Sequence, residues 1–121
     1  MSHPHYIAVV EPAGLLYGSE FCLLDVLTGL DRERFTSEVL LPKGAPFRER
    51  LDADQLDWSE ALPADLMQCG RLRRLLAYQR LESRWRSQPP NLIYVNQAGI
   101  LRPIARIAQR LQLPSAGGPP K

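Results

Sequence analysis

The stretch Tyr6–Leu30, YIAVVEPAGLLYGSEFCLLDVLTGL, decides the fold of this chain. It opens with the apolar run 6–10, which is short and rich in β-branched residues, as in a strand buried on both faces. A loop containing Gly14 and Gly18 follows, and Ser19 is a candidate N-cap for the next helix. Apolar residues then recur at helical spacing, at Leu23, Val26, Leu27 and Leu30. This order predicts the first half of a βαβ unit, in which ligands bind at the carboxyl ends of the strands.

The sequence of the loop between this strand and helix fits two interpretations. It is neither a dinucleotide-binding G-x-G-x-x-G loop nor a Walker loop, which would end in Gly-Lys-Ser or Gly-Lys-Thr. Gly14 and Gly18 could serve only to allow a turn with positive φ. Alternatively, their backbone N–H groups face a phosphate or another ligand, and the sequence leaves both interpretations open.

Length and composition fit one cytoplasmic globular domain. The 121 residues are 45% hydrophobic and 23% charged, which suffices for a real core. No run approaches the roughly 18 apolar residues of a membrane span, and the N-terminus does not resemble a secretory signal. Cys22 and Cys69 lack metal or redox spacing, and two histidines near the N-terminus make no coordination shell. We therefore expect no metal site and no resident cofactor.

Charge is distributed unevenly along the chain. Residues 1–70 contain 12 acids and 5 bases, whereas residues 71–121 contain 10 bases and 1 acid. This asymmetry suggests an anionic partner for the basic part, with solvated helix faces as the alternative. Arg102, Arg106 and Arg110 repeat every four residues, so we expect a basic, membrane-facing surface and peripheral contact with the inner face of the membrane. A nucleic-acid partner is disfavoured because the arginines are not interleaved with exposed aromatics.

The remaining patterns alternate between strand and helix. Strands are predicted at 37–41, at 56–61 as a polar edge, and at 91–96. Helices are predicted at 46–51, from Pro63 to the proline pair 89–90, and from Ile100 onward. The middle helix is expected to bury one apolar stripe, made of Leu72, Leu75, Leu76, Tyr78, Leu81 and Trp85.

These elements predict an α/β fold, Rossmann-like, with three layers (α/β/α) and a mainly parallel sheet of about four strands in the order 3-2-1-4. The domain is expected to span residues 1–114, with 115–121 as a flexible tail. The functional edge should lie above strands 1 and 4. Without a fifth strand, strand 4 would be an open edge through which the chain could form a homodimer.

Several segments resemble the retaining glycosyltransferases of family 4, which have the two-domain GT-B architecture. Residues 11–14 and 18–20, reading EPAG and GSE, are similar to the loop and helix start of that family. Residues 39–42, reading VLLP, are similar to its second strand. Residues 90–96 and 105–114, reading PNLIYVN and ARIAQRLQLP, are similar to a later strand and the helix after it. The likeness covers residues 6–114, although Tyr17 stands where a glycine is common.

The resemblance implies an incomplete N-terminal, acceptor-side domain. The whole enzyme would move a sugar from a nucleotide-diphosphate donor to a glycan or lipid-linked acceptor, in cell-surface polysaccharide or lipopolysaccharide biosynthesis. Substrate-binding residues would be Gly14, Gly18, Ser19, Glu20 and Asn96, with no catalytic residue in this chain. Because the donor-binding domain is missing, this chain alone would be inactive.

Simpler roles remain open for two of these residues, and so does a second function. Glu20 could be a first-turn acid favoured by the helix dipole, and Asn96 could be the N-cap of the last helix. The second hypothesis is a stand-alone Rossmann-like binding or regulatory module without catalysis. A receiver domain is disfavoured, because it needs an acidic cluster and an aspartate ending a central strand, where only Asn96 is available.

Overall fold

A computed structural model describes residues 5–12, 18–63, 70–96 and 100–117 of the chain. Strands and helices alternate in these residues, as the sequence predicts. The strands are β1 (His5–Val10), β2 (Phe35–Pro42), β3 (Asp57–Leu62), β4 (Leu92–Val95) and β5 (Ser115–Gly117). The helices are α1 (Gly18–Thr28), α2 (Phe47–Ala53), α3 (Arg71–Ser87) and α4 (Leu101–Leu111).

All neighbouring strands of the sheet run parallel, in the order β3-β2-β1-β4-β5. This confirms the predicted fold class and the order of the first four strands. β1 is central, since it pairs with β2 along its whole length and with β4 from Ile7 to Val10. β3 is an edge strand, as its polar sequence predicts.

The prediction that residues after Leu113 cannot supply a strand is wrong. β5 pairs with β4 in register, from Ile93 opposite Ser115 to Val95 opposite Gly117. Strand pairing needs only backbone N–H and C=O groups, so the small residues of β5 can provide it. The prediction of a flexible tail at 115–121 is therefore wrong for 115–117, while 118–121 lie outside the described residues. β4 is accordingly not an open edge over these three residues.

The end of α4 explains how the chain reaches β4. Gln112 adopts the left-handed conformation, with φ 57° and ψ 45°, and its N–H donates to the α4 carbonyls of Ala108 and Gln109. The Leu113 N–H donates to the Ala108 carbonyl at 2.8 Å, which closes the helix end. The chain then turns back, and the Ile93 N–H donates to the Pro114 carbonyl at 3.0 Å.

The sheet separates two apolar cores. Ala8 and Val10 of β1 face the core formed with α3 and α4, whereas Val9 faces the core formed with α1 and α2. This alternation follows from the two-residue period of a strand. Helices therefore cover both faces of the sheet, which gives the predicted three layers.

The expected apolar stripe of α3 is wrong in its first half. Leu81 and Trp85 are buried, but Leu72, Leu75 and Leu76 are 78%, 53% and 54% exposed. At roughly 100° per residue, these three leucines lie on the side of the helix opposite Leu81 and Trp85. The predicted stripe thus combined apolar residues from two opposite faces of α3. We call Leu72, Leu75 and Leu76 the leucine face.

Candidate functional site

The carboxyl edge of the sheet has a topological switch point between β1 and β4. The chain leaves β1 toward β2 on one side, whereas β4 lies on the other side of β1 and leads to β5. In open α/β sheets, ligands bind outside the strand ends at such a point. Since α1 follows β1, its N-terminus also lies at this edge.

Two buried polar side chains stand at the switch point. Glu11 directly follows β1 and Asn96 directly follows β4, with 0% and 1% exposure. The Asn96 side-chain amide, Nδ2, donates to Glu11 Oε2 at 2.5 Å. Their backbones extend the strand ladders by one residue, because the Glu11 N–H donates to the Leu40 carbonyl and the Asn96 N–H to the Val10 carbonyl.

The pair holds the two connections together. A buried carboxylate is costly unless donors surround it, and the Asn96 amide supplies one donor. The amide nitrogen of Asn96 faces Glu11, whose side-chain oxygen accepts the hydrogen bond. The pair thereby joins the ends of β1 and β4.

The predicted binding residues fall in three groups. Gly14 lies outside the described residues. Gly18, Ser19 and Glu20 form the first turn of α1, where backbone N–H groups have no acceptor within the helix. Since α1 begins at Gly18, the expectation that Ser19 is the N-cap is wrong. Asn96 lies at the switch point as predicted.

The alternative role for Asn96, as N-cap of the last helix, is excluded. α4 begins at Leu101, and its N-cap residue is Ile100, which makes no side-chain capping bond. The side chain of Asn96 instead bonds to Glu11. The sequence pointed to Asn96 but did not identify its partner, although both are the first polar residues after apolar strands.

A second feature of the same edge is a basic cavity that the sequence analysis missed. It has a volume of about 450 Å³ and lies between the ends of β2 and β3 and the first half of α3. Its charged lining residues are three bases and one acid: Lys43, Arg73, Arg80 and Glu60. The Glu60 carboxylate accepts from the Gly44 N–H at 2.5 Å and lies 3.8 Å from Arg48. The cavity wall is therefore predominantly positive.

The opposite, amino edge carries a structural network. The Tyr6 hydroxyl donates to Glu38 Oε1 at 2.7 Å, and Arg84 Nη2 donates to the same oxygen at 2.7 Å. Burial, together with the hydrogen bond to Glu38, raises the pKa of Tyr6 well above its usual range. This network ties α3 to β1 and β2, far from the switch point, and we assign it to stability.

The predicted basic surface of α4 includes one arginine that is bonded within the domain. Arg102, Arg106 and Arg110 are all exposed, as expected for an outer face. Arg110, however, bonds to Glu82 of α3, which also accepts from Arg86 at 2.9 Å. The hydrogen bond from Arg110 lowers the pKa of Glu82. Arg110 therefore joins two helices of the domain.

Neither a metal site nor a membrane span is found in the part of the chain that the structure describes. Its His, Cys, Asp and Glu side chains form no group of three or more that could hold a metal ion. Of the helices described, none combines the length and the apolar character needed to cross a bilayer.

No protein-family model and no curated protein matches the chain in sequence. Solved structures match its fold. MurG from Acinetobacter baumannii is 14% identical with a TM-score of 0.71, covering 94% of this chain and 34% of that one. A glycosyltransferase from Rickettsia africae is 13% identical with a TM-score of 0.70, and the match covers 94% of this chain and 29% of that one. The C-terminal domain of a Pyrococcus furiosus hydrogenase is 13% identical with a TM-score of 0.59, and the match covers 97% of this chain and 93% of that domain.

At these identities the comparisons show the fold. The chain has the Rossmann-like α/β fold of the domains that build GT-B glycosyltransferases. It spans about a third of the length of the MurG and Rickettsia structures.

Proposed function

We propose that this chain is the acceptor-side domain of a GT-B glycosyltransferase and that its carboxyl edge forms one wall of the reaction cleft. The observation that carries the proposal is the buried Glu11–Asn96 pair at the switch point of a GT-B-like sheet. Two further features support it: the likeness to about a third of two glycosyltransferase structures, and the family-like segments 39–42 and 90–96.

In this role the chain binds and orients the acceptor. The acceptor contacts are Gly14, Gly18, Ser19 and Glu20, because backbone N–H groups in the first turn of α1 have no acceptor within the helix. Asn96 acts through Glu11, by joining the ends of β1 and β4. The donor nucleotide-sugar and the groups that stabilise the leaving diphosphate belong to a second domain across the cleft.

The acceptor class and stereochemistry follow from the resemblance. We propose a glycan or lipid-linked acceptor in cell-surface polysaccharide or lipopolysaccharide synthesis, and a retaining reaction of the family 4 type. The basic cavity at the carboxyl edge supports an acceptor with phosphate groups, since Lys43 and Arg80 line it. The anomeric configuration of the product made with the completing domain checks the stereochemistry.

Amide chemical shifts of the labelled chain test the proposal. Titration with soluble glycan acceptors should change the amide chemical shifts of Gly18, Ser19, Glu20 and Asn96, whereas titration with UDP or GDP should change them little. Asn96→Ala should weaken the response. Asn91→Ala is the matched control, because Asn91 binds the Tyr6 N–H at the amino edge of the same strand. Shifts confined to the amino edge, or a response to the nucleotides alone, would contradict the proposal.

The second candidate is a stand-alone Rossmann-like module without catalysis. The observation that favours it is the match to the hydrogenase domain, which extends over nearly the whole of that domain. If the chain is such a module, no glycan should change the chemical shifts of the amides at the carboxyl edge. The same titration therefore distinguishes the two functions.

A further inference from the structure

We propose that the basic cavity at the carboxyl edge binds the phosphate group of a phosphorylated sugar, and that Lys43 and Arg80 hold this phosphate. The inference deepens the proposed function and rests on it for the role of that sugar as the acceptor. The first observation is size, because the cavity volume of about 450 Å³ lies within the range of about 300–1,000 Å³ that is typical of small-molecule pockets. The cavity therefore has room for a small organic molecule.

The second observation is the composition of the cavity wall. Leu62 and Ala77, which line the cavity, are buried, and Leu76 of the leucine face adds a further apolar side chain. The bases Lys43 and Arg80 line the same cavity but are exposed, so they lie toward its solvent side. Pockets for small molecules combine mainly apolar walls with a few polar groups that orient the ligand. In this arrangement the sugar packs against the apolar wall, with its phosphate at the basic side.

Two bases of the cavity have no other partner among the residues that the structure describes. The side chains of Lys43 and Arg80 form no hydrogen bond or ion pair there, whereas Arg73 interacts with another residue, which leaves less of its charge for a ligand. A phosphate monoester carries a charge of about −1.5 to −2 at pH 7. The two positive charges therefore match one phosphate group, and hydrogen bonds from charged donors to phosphate are strong.

Among the described residues that line the cavity, Glu60 is the only acid, and it is engaged elsewhere. The Glu60 carboxylate accepts from the Gly44 N–H at 2.5 Å and lies 3.8 Å from Arg48 Nη1. Arg48 does not line the cavity, so it offsets the charge of Glu60 from outside. Glu60 therefore opposes an anionic ligand less than an unpaired carboxylate would.

Glu60 also helps to fix the turn at residues 42–45, which carries Lys43. Three consecutive N–H groups of this turn donate hydrogen bonds of 2.5–3.2 Å: those of Lys43, Gly44 and Ala45. The bond from Lys43 goes to the carbonyl of Leu62 and ties the turn to the end of β3. Gly44 has φ 78°, the left-handed conformation that favours glycine. Lys43 thus extends from a fixed backbone, and a preorganised group loses less entropy when it binds a ligand.

The cavity and the switch point lie on the same edge of the sheet. The cavity is at the ends of β2 and β3, whereas the switch point lies between β1 and β4. Neighbouring strands are about 4.8 Å apart, so two strand spacings, roughly 10 Å, separate the two places. One ligand longer than this reaches both, with its phosphate in the cavity and its glycan at the switch point. The acceptor accordingly carries its phosphate away from the hydroxyl that reacts.

Amide chemical shifts of the labelled full chain test the inference, with glucose 1-phosphate, glucose and vesicles of phosphatidylglycerol as the probes. Glucose 1-phosphate should change the chemical shifts of Gly44, Ala61 and Ala77 at the cavity, and glucose should not. High salt should weaken this response, because it screens the attraction between phosphate and the bases. The vesicles distinguish a soluble phosphate ester from a lipid headgroup. If the chain binds the vesicles and does not bind glucose 1-phosphate, the inference is wrong.

Variants in the cavity test the two bases. Lys43→Gln and Arg80→Gln should each weaken the binding of glucose 1-phosphate about tenfold, since each removes one charged hydrogen bond to the phosphate. Arg34→Gln is the matched control, because it removes the same charge from an exposed residue at the amino edge, just before β2. We expect it to bind within about twofold of the wild type. Equal losses in all three variants would indicate a nonspecific attraction to the net charge and would overturn the inference.

Two glycine variants test the fixed turn. Gly44→Ala should weaken the binding of glucose 1-phosphate, since alanine disfavours positive φ and shifts the turn that carries Lys43. Gly70→Ala is the matched control, because an added Cβ meets no atom within 4 Å at either position and only Gly44 has a positive φ. It should leave binding unchanged. Unchanged binding by Gly44→Ala would contradict the role of the turn.

The inference and the proposed function fail separately. If soluble glycans change the chemical shift of Asn96 while glucose 1-phosphate leaves the cavity amides unchanged, only this inference is wrong. If glucose 1-phosphate binds in the cavity while no glycan affects the switch point, the phosphate site stands and its role in acceptor binding is wrong. The amide spectrum of each variant confirms that it is folded.

Discussion

The side chains of Glu11 and Asn96 share a buried hydrogen bond of 2.5 Å although 85 residues separate them in the chain. Because these residues follow β1 and β4, the bond joins the two strand ends at which the order of the strands reverses. We place the acceptor at this edge of the sheet.

Asn96→Ala should lower the free energy of unfolding by about 1–3 kcal/mol, because the buried Glu11 carboxylate loses a donor. Asn96→Asp should also destabilise the domain, since it replaces the donor with a second carboxyl group beside Glu11. Urea denaturation measures these changes. Asn91→Ala, the control at the exposed end of β4, should cost about 1 kcal/mol. Equal destabilisation by Asn96→Ala and Asn91→Ala would argue against a stabilising Glu11–Asn96 hydrogen bond.

Tyr6 should make the stability of the domain fall in alkaline solution. Burial and the hydrogen bond to Glu38 raise the pKa of Tyr6 above its ordinary value, so the folded state retains a proton that the unfolded chain releases. This contribution is fully present below the pKa of an unfolded tyrosine, about 10, and is lost as the pH rises toward the folded pKa. The free energy of unfolding should therefore decline above about pH 10.

The variant Tyr6→Phe should be less stable at pH 7 by about 1 kcal/mol, because it loses the hydrogen bond to Glu38. It should also show a shallower alkaline decline than the wild type. Tyr94→Phe, which leaves Tyr6 in place, should keep the steeper decline. The same slope in the wild type and Tyr6→Phe would mean that Tyr6 titrates alike in the folded and unfolded states.

Removing β5 should expose the edge of β4 and cause self-association. A chain ending at Pro114 lacks Ser115–Gly117, so the β4 backbone from Ile93 to Val95 would lose its partner. A chain ending at Gly117 keeps this pairing and is the matched control. Light scattering over micromolar concentrations should show growth only for the shorter chain. A homodimer of the intact chain through β4 remains a prediction, and it would require displacement of β5.

The purified chain should show no glycosyl transfer by itself. Catalysis in a two-domain enzyme requires both walls of the cleft to position the reactants and stabilise the leaving diphosphate. Transfer of a radiolabelled sugar from nucleotide-diphosphate donors to the glycans that bind the chain measures this. Turnover by the 121-residue chain would show that it contains a complete catalytic site.

Much of the architecture could be predicted from local sequence. The apolar run 6–10 and the segment 37–41 have the strand pattern on their own, and alternation with helical segments restricts the sheet to few topologies. The apolar period of α4 likewise predicted its buried residues Ile104 and Ile107. These features depend on residues close in sequence, so local patterns suffice.

The switch point was predictable only in part. The family resemblance, together with its place at the end of the fourth predicted strand, indicated Asn96 as a binding residue. The hydrogen-bond partner of Asn96 could not be predicted from the sequence, because the pairing with Glu11 depends on β4 lying beside β1 in matching register. Register is a property of the assembled sheet.

The sequence by itself determined the parallel α/β class, the order of the first four strands and the polar ends of β1 and β4. Only the tertiary structure decided that Ser115–Gly117 form a strand, because their pairing depends on the left-handed turn at Gln112 and the backbone of β4. It also decided which side of α3 faces the core. Leu72 and Leu81 have equal hydrophobicity, and only the position of the sheet buries one and exposes the other.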